Sequence, residues 1–256
     1  MAAETSMFES FQPFYEIMID WEARLAGESS LFQRALSSVH AQSVLDSACG
    51  TGHHACLFAR WGMDVAGSDL SAAMVEKSRH LAASRNLKID IRQASFDRLS
   101  QTFDRTFDAV VCVGNSLSAA GSRSTVTDGI ADMHQVIRPG GVLMVQVLNY
   151  ERFPPGQTVY GEAVHRMHLG QSYLFLKAWR RAATKCEMDV IVLTDGATGQ
   201  WTRTVFTERL LVMDRSGLVE MLEHSGFGKI HLYGGYDGTP FDSKTSRDLI
   251  AVARRE

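Results

Sequence analysis

The segment 44–71 constrains the fold of this chain more than any other. It reads VLDSACGTGHHACLFARWGMDVAGSDLS: an apolar strand, a glycine-rich turn, a helix, a second strand and an acid. A strand that passes through such a turn into a helix and returns as a neighbouring strand is a βαβ unit. The turn lies at the amino terminus of the helix, where nucleotide-like ligands bind. The segment therefore predicts a nucleotide-type site at the edge of a parallel sheet.

The rest of the chain extends this alternation. After a helical segment at the amino terminus, apolar strands alternate with amphipathic helices up to residue 150. Shorter alternating segments then predict an antiparallel meander of about four strands, after which one helix and two strands rejoin the sheet. We predict an α/β fold: a doubly wound, Rossmann-like, mostly parallel seven-stranded sheet with an antiparallel β insertion. It would be a single domain, 1–256, in four segments: an N-terminal helical cap (1–40), a cofactor-binding core (41–150), an insertion forming a substrate lid (151–212), and the last helix and strands (213–256).

Composition argues against several classes of partner. The formal net charge is −3 and there is no run of Lys or Arg, so we expect no nucleic-acid partner. The amino terminus lacks the pattern of a signal peptide, and no apolar stretch approaches the roughly 20 residues of a membrane helix. The four cysteines lack CxxC spacing. We therefore expect buried free thiols in a reducing cytoplasm, with no metal site and no membrane contact.

One acid decides between two kinds of nucleotide-like ligand. Residues 50–55 fit the dinucleotide pattern G-x-G-x-x-A, and Asp69 lies near the usual offset of the ribose-binding acid. Asp46, however, ends the first strand directly before the turn. A carboxylate there would repel a pyrophosphate, whereas a ligand with an ammonium and a sulfonium suits it. These residues favour S-adenosyl-L-methionine, and an NAD-dependent oxidoreductase is the distant alternative.

Several motifs together resemble the class I S-adenosylmethionine-dependent methyltransferases. They are VLDSACGTG, the acid in GSDLS, QASF, FDAVVCVGNS and IRPGG, in this order. CVGNSLS, LNY, the insertion and the tail GGYDGTPFD are similar to the glycine and sarcosine N-methyltransferase branch. The resemblance implies methyl transfer to a small-molecule acceptor, with nitrogen as the preferred atom. O-methylation of a hydroxyl or carboxylate is the alternative, and a cofactor sensor without turnover is a third hypothesis.

The resemblance also implies a cofactor site. Gly50 and Gly52 would let the backbone pass close to the ligand. Asp46 would hold the methionyl ammonium, and Asp69 would accept both ribose hydroxyls, although it could also simply balance a helix dipole. The remaining implied cofactor-binding residues are Arg24 for the ligand's carboxylate, Ser95 and Phe96 for the adenine, Leu70 and Met74 as apolar walls, and Ala48 and Val113 beside the turns. Core packing explains Leu70 and Met74 equally well. Arg24 could equally be a solvated arginine on the face of a helix.

The acceptor side shows no acid–base pair, as expected of a transfer that mainly needs alignment of nucleophile, methyl and sulfur. Asn115 follows Gly114 at the carboxyl end of the fourth strand and is the candidate nearest the reacting atoms; a turn-forming role is the alternative. Tyr150 and Tyr15 are further catalytic candidates, with ordinary core packing as the alternative.

Leu148 departs from the glycine-methylating enzymes, in which the resemblance implies an arginine directly before the NY pair. An apolar side chain cannot replace a charge-assisted contact with a carboxylate. We therefore expect glycine to be a poor acceptor, unless the insertion supplies the charge through Arg166, Arg180 or Arg203. The sequence does not identify the acceptor and does not fix the oligomeric state. A homo-oligomer is one of the open alternatives.

Two histidines follow the glycine turn. His53 and His54 stand on the first turn of the next helix, where we expect exposed residues; a base for O-methylation is the alternative. In the insertion, His165 and His168 are three residues apart in a strand. They would point to opposite faces, which argues against a shared metal site.

Overall fold

The computed structural model describes residues 7–196 and 199–256, which form two compact units. The first, called the core unit here, consists of Leu25–Arg152 and Met213–Glu256. The second, called the strand unit, consists of the described residues within Met1–Arg24 and Phe153–Val212. The strand unit thus joins residues before position 25 with the segment 153–212, and the division of a single domain into four segments stays a prediction.

The core unit alternates strands and helices. Its strands are β1 (Ser43–Ser47), β2 (Asp64–Asp69), β3 (Asp90–Gln93), β4 (Phe107–Cys112), β5 (Ile137–Leu148), β11 (Phe227–Tyr233) and β12 (Asp248–Arg255). Its helices are α3 (His53–Arg60), α4 (Ala72–Ser84), α5 (Leu99–Thr102), α6 (Arg123–Val136) and α7 (Arg215–His224), together with most of α2 (Trp21–Ser37).

One seven-stranded sheet organises this unit, in the order β11-β12-β5-β4-β1-β2-β3. The pairs from β5 through β3 are parallel, and β12 pairs antiparallel with β5 and with β11. The predicted doubly wound, mostly parallel sheet is confirmed. Since parallel strands end at the same edge, the carboxyl ends of β1, β2, β4 and β5 carry their following turns side by side.

A polar cluster at the opposite, amino-terminal edge fastens three strands together. One carboxylate oxygen of Asp108 accepts the backbone N–H groups of Gln42 and Ser43, both at 2.8 Å. The other oxygen accepts from the guanidinium of Arg138, at the start of β5. Burial by itself raises the pKa of Asp108, but these hydrogen bonds outweigh it and lower the pKa to about 2. The charged form of Asp108 therefore stabilises the sheet.

Replacing Asp108 by Asn should destabilise the protein by about 2 kcal/mol at pH 7, because each unit of pKa shift is worth about 1.4 kcal/mol. The folded pKa lies below the unfolded one, so this contribution is present above about pH 4 and is lost as the pH falls towards 2. Urea unfolding at pH 7 and at pH 2.5 measures it. The exposed Asp90, which pairs with Arg92, is the matched control, and D90N should cost less than about 0.5 kcal/mol. An equal loss for D108N at both pH values would contradict the assignment.

The strand unit is a five-stranded antiparallel sheet with one helix. Its elements are α1 (Met7–Met18), β6 (Thr158–Tyr160), β7 (Val164–His168), β8 (Gln171–Arg181), β9 (Lys185–Asp195) and β10 (Trp201–Leu211). The order is β10-β9-β8-β6, with β7 also paired to β8. The expected four strands are therefore five. The first breaks after Tyr160, where the N–H of Gly161 donates to the carbonyl of Lys177 at 2.8 Å and the next two residues leave the ladder.

Phenylalanine rings hold α1 to this sheet. Phe11 lies 5.2 Å from Phe206 of β10, and Phe14 lies 6.2 Å from Tyr173 of β8, measured between ring centroids. Edge-on aromatic contacts of this kind stabilise packing beyond the apolar area they bury. The described part of the amino terminus is therefore an integral element of the strand unit.

Candidate functional site

The turn between β1 and α3 has an unusual backbone. Ala48, Gly50 and Gly52 all take left-handed φ angles, of 56°, 56° and 85°. A side chain at Gly52 would overlap the hydroxyl of Ser78, so glycine is required there by packing as well as by conformation. A Cβ at Gly50, by contrast, would meet no atom within 4 Å. The turn thus presents bare backbone to open space at Gly50, as a close ligand contact requires.

Asp69 is fixed at the end of β2 by this turn. Its two carboxylate oxygens accept the N–H groups of Gly50 and Ser71, at 2.8 and 2.9 Å. Burial raises the pKa of Asp69, and the two N–H groups lower it only in part. An ionised carboxylate can accept about four hydrogen bonds. Asp69 therefore has the capacity to accept two further donors, such as vicinal hydroxyls.

A second carboxylate lies behind the same turn. Asp46, in β1, is only 1% exposed. Burial raises the pKa of the neighbouring Cys49 thiol, and the negative charges of Asp46 and Asp69 raise it further. The same three causes raise the pKa of Cys112 at the end of β4. Asp46 and Asp69 thus both lie close enough to the turn to act on the thiols beside it, and two carboxylates there disfavour a phosphate and favour a cation.

The residues expected beside an adenine lie around the ends of β2 and β3. Leu70 directly follows Asp69 and is 69% exposed, so an apolar surface is available next to the carboxylate. Met74 is buried in α4. The hydroxyl of Ser95 donates to Asp97, which brings an acid into the position next to the predicted adenine contact. Sequence reasoning missed this acid, although the motif SFD contains it.

Phe96 faces a helix. A Cβ at Gly129 of α6 would overlap its ring, so the ring lies directly against the backbone of α6. Its N–H and ring edge as adenine contacts remain a prediction. Val113, the last candidate on the cofactor side, is buried in the apolar core between β4 and the following turn.

The turn after β4 is bonded to the end of β5 and to the residues that follow it. Gly114 and Asn115 both take left-handed φ angles, of 81° and 68°. The Oδ1 atom of Asn115 accepts the N–H of Leu148 at 2.9 Å, and its Nδ2 donates to the hydroxyl of Tyr150 at 2.9 Å. Tyr150 is fully buried. Asn115 therefore ties the two strand ends together, and its contact with the reacting atoms remains a prediction, as does that of Tyr150.

Sequence reasoning missed Gln146. Its Oε1 atom accepts the N–H groups of Gly114 and Asn115 at 2.8 and 3.1 Å, and its Nε2 donates to Asp248 at 2.8 Å. The signal was present, since Gln146 is a polar residue within the apolar run VLMVQVL. Nothing in the sequence indicates Asp248, which pairs with β5 from the far end of the chain.

Asn149, at the same edge, is directed elsewhere. Its side-chain amide donates to the carbonyls of Ser243 and Ser246, both at 2.9 Å. It therefore anchors the loop before β12.

The expected exposure of His53 and His54 is wrong, since they are only 7% and 6% exposed. The Nε2 atom of His54 lies 2.6 Å from a carboxylate oxygen of Glu28, a buried residue of α2, and Phe32 packs edgewise on the imidazole at 5.5 Å. The helix that covers α3 thus supplies both a polar and an aromatic partner. The sequence could not place α2 over this turn.

Two candidates lie in the strand unit. The Tyr15 ring packs against Phe11 and Trp21, and the Arg24 guanidinium lies 5.1 Å from the centre of the Trp21 ring. Their roles at the acceptor and at the cofactor carboxylate remain predictions. Among the arginines of the insertion, Arg180 is paired with Asp189 at 2.8 Å. A carboxylate of a ligand would have to displace that acid.

All four cysteines are free and buried, as expected. In the described ranges, no three His, Cys, Asp or Glu side chains come together as metal ligands. None of the described helices combines the length and the apolar character of a membrane span.

Residues 44–141 match the family model described as a methyltransferase domain. Over 163 residues the chain is 30% identical to the glycine/sarcosine N-methyltransferase of Parasynechococcus marenigrum (strain WH8102), which covers 64% of this chain and 58% of the relative. Three relatives with this activity in their names are matched over 53% to 58% of their length, so the chain spans a little over half of each.

Solved structures match over almost the whole chain. CalS10, an amino pentose methyltransferase from Micromonospora echinaspora, gives a TM-score of 0.77 at 22% identity and covers 99% of this chain and 100% of its own. The sugar N-methyltransferase KedS8 from Streptoalloteichus sp. gives 0.72 at 24% identity, with 100% and 96% covered. At these identities the likeness establishes the fold.

Proposed function

We propose, on the premise that residues 44–141 match a methyltransferase domain, that this chain transfers a methyl group from S-adenosylmethionine to the nitrogen of a small molecule. The cofactor supplies an activated methyl group on a sulfonium. The chain has to bind this donor, align the acceptor with the methyl carbon and exclude water.

The observation that carries the proposal is the pair of carboxylates around the glycine turn. Asp46 is buried behind the turn, and Asp69 is bonded to the turn's own N–H at Gly50. Together they make the site negative, which suits a ligand that carries an ammonium and a sulfonium. A dinucleotide would bring two phosphates to the same turn.

The residues of the core unit fit such a ligand. Asp69 would accept the two ribose hydroxyls, and the open space at Gly50 would allow close approach of the methionyl part. Exposed Leu70 would lie against the adenine, with Ser95 or Asp97 near its amine. Each of these groups has either remaining hydrogen-bonding capacity or exposed apolar surface.

Nitrogen as the acceptor atom is supported by the relatives. The curated relative above is named for methylation of glycine and sarcosine, and KedS8 for methylation of a sugar nitrogen. A neutral amine needs no strong base, which agrees with an edge formed by Asn115, Gln146 and Tyr150. A small-molecule acceptor also agrees with the net charge of −3, and the free buried thiols support a reducing compartment such as the cytoplasm.

A screen with methyl-labelled cofactor tests the proposal. Amines, amino acids, phenols and carboxylic acids are supplied separately, and the products are identified by mass. We expect label on an amine nitrogen. Because Leu148 offers no cation, glycine should be at least about tenfold poorer in kcat/KM than the best amine, since a lost charge-assisted hydrogen bond costs about 1.5–3 kcal/mol. Label confined to oxygen, or glycine as the best acceptor, would contradict it.

A further inference from the structure

One acid at the carboxyl edge of the core sheet has no role in the proposed donor site. Asp248 begins β12 and pairs in register with Leu148, the last residue of β5. Residues directly opposite each other on antiparallel strands point to the same face, so the two side chains lie next to each other. An apolar residue and an acid therefore lie side by side at this edge of the sheet.

Gln146 connects this acid to the turn after β4. Its amide nitrogen donates to Asp248 Oδ1 at 2.8 Å, while its amide oxygen accepts the N–H groups of Gly114 and Asn115. Both ends of the amide are engaged, so the carboxylate is held at a fixed position relative to the turn. In a doubly wound sheet this edge, at the carboxyl ends of the central strands, is where ligands bind.

The surroundings of Asp248 do not fully compensate its charge. Burial raises the pKa of Asp248, and the positive charge of Arg247 and the hydrogen bond from Gln146 lower it. Nearby Glu28 raises it, and Arg152 lowers it. The net shift is upward, because burial outweighs the hydrogen bond from Gln146 and the charges of the two arginines. An N–H group or a cation placed beside it would be stabilised.

We propose that Asp248 contacts the acceptor nitrogen, and that the acceptor is an amine with no carboxylate next to that nitrogen. The inference rests on the proposed methyl transfer. In that step the nitrogen lone pair forms the N–C bond while the C–S bond breaks, so positive charge passes from sulfur to nitrogen and the proton later leaves to water. A carboxylate against the nitrogen stabilises this developing charge and accepts an N–H hydrogen bond.

The test uses the full chain with ethanolamine and D-glucosamine as acceptors and labelled S-adenosylmethionine as donor. We expect transfer to at least one of them, and we expect Asp248→Asn to lower kcat/KM at least tenfold with cofactor affinity unchanged within twofold. Asp248→Glu, which keeps the charge, should retain more activity than Asp248→Asn. Glu220→Gln is the matched control, because Glu220 is an exposed carboxylate on α7 paired with Arg123, and it should leave both quantities unchanged.

Unchanged kcat/KM in Asp248→Asn, or no transfer to either amine by a protein that binds the cofactor, overturns the inference and leaves the donor proposal intact. Failure to bind the cofactor overturns the proposed function itself. If Asp248→Asn lowers the unfolding midpoint below the assay temperature, Asp248→Glu and the acceptor preference of the unsubstituted protein decide the question.

Discussion

Asp69→Ala is expected to weaken the binding of S-adenosylmethionine about 100-fold. Two ribose hydroxyls would donate to this carboxylate, and each hydrogen bond to a charged group is worth about 1.5–3 kcal/mol. The substitution also removes the acceptor for the N–H of Gly50, at 2.8 Å, and so loosens the glycine turn. Titration calorimetry with S-adenosylmethionine measures the change.

Two controls separate these contributions. Asp90→Ala removes an exposed carboxylate of the adjacent strand β3, which forms a surface ion pair with Arg92, and should leave affinity unchanged. Asp69→Asn keeps the shape and one oxygen acceptor, so its affinity should fall between those of Asp69→Ala and the unsubstituted protein. Unchanged affinity in Asp69→Ala would show that the cofactor binds elsewhere.

Asn115→Gly should reduce turnover about 100-fold while changing cofactor affinity less than about threefold. Glycine tolerates the left-handed φ of 68° at this position, so the substitution removes the side chain without imposing backbone strain. The Leu148 N–H and the Tyr150 hydroxyl then lose the hydrogen bonds that Asn115 provides. The turn at the carboxyl end of β4 would shift, and a displacement of about 1 Å at a reacting centre can cost about 100-fold in rate.

Steady-state kinetics and cofactor titration on the same preparations measure the two effects. Tyr150→Phe, which removes only the hydroxyl, should give a smaller loss of turnover, because Asn115 can still accept from Leu148. The free energy of unfolding of Asn115→Gly should fall by about 1–3 kcal/mol, the cost of unpaired buried groups. Equal losses of turnover and of cofactor affinity would contradict a role on the acceptor side.

The core sheet could be predicted from the sequence because each of its strands and helices carries a local pattern. Apolar runs predicted β1, β4 and β5, and the glycine turn with Asp69 predicted the βαβ unit. The break after Tyr160 could not be predicted, because the alternation of residue types in the sequence shows no interruption there. The break depends on the pairing of Gly161 with Lys177 of β8.

The site was less predictable because its polar contacts join distant parts of the chain. Asp69 stands next to its motif in sequence, whereas Gln146 and Asp248 are 102 residues apart. The burial of His54 depends on Glu28, contributed by a helix 26 residues earlier. Such contacts follow from the order of strands and the placement of helices, which local periodicity does not specify.

The central claim is electrostatic: two carboxylates around one glycine turn select a cationic donor without phosphate. The raised pKa values of the Cys49 and Cys112 thiols agree with it, since both are shifted upward by Asp46 and Asp69 after burial. The claim concerns the core unit alone, and it can be tested without knowledge of the acceptor.

Calorimetric titration of the full chain with S-adenosylmethionine and, separately, with NAD⁺ tests it most directly. We predict saturable binding of S-adenosylmethionine with one site per chain and no measurable heat with NAD⁺ at the same concentrations. Saturable binding of NAD⁺ by a folded protein that does not bind S-adenosylmethionine would contradict the account.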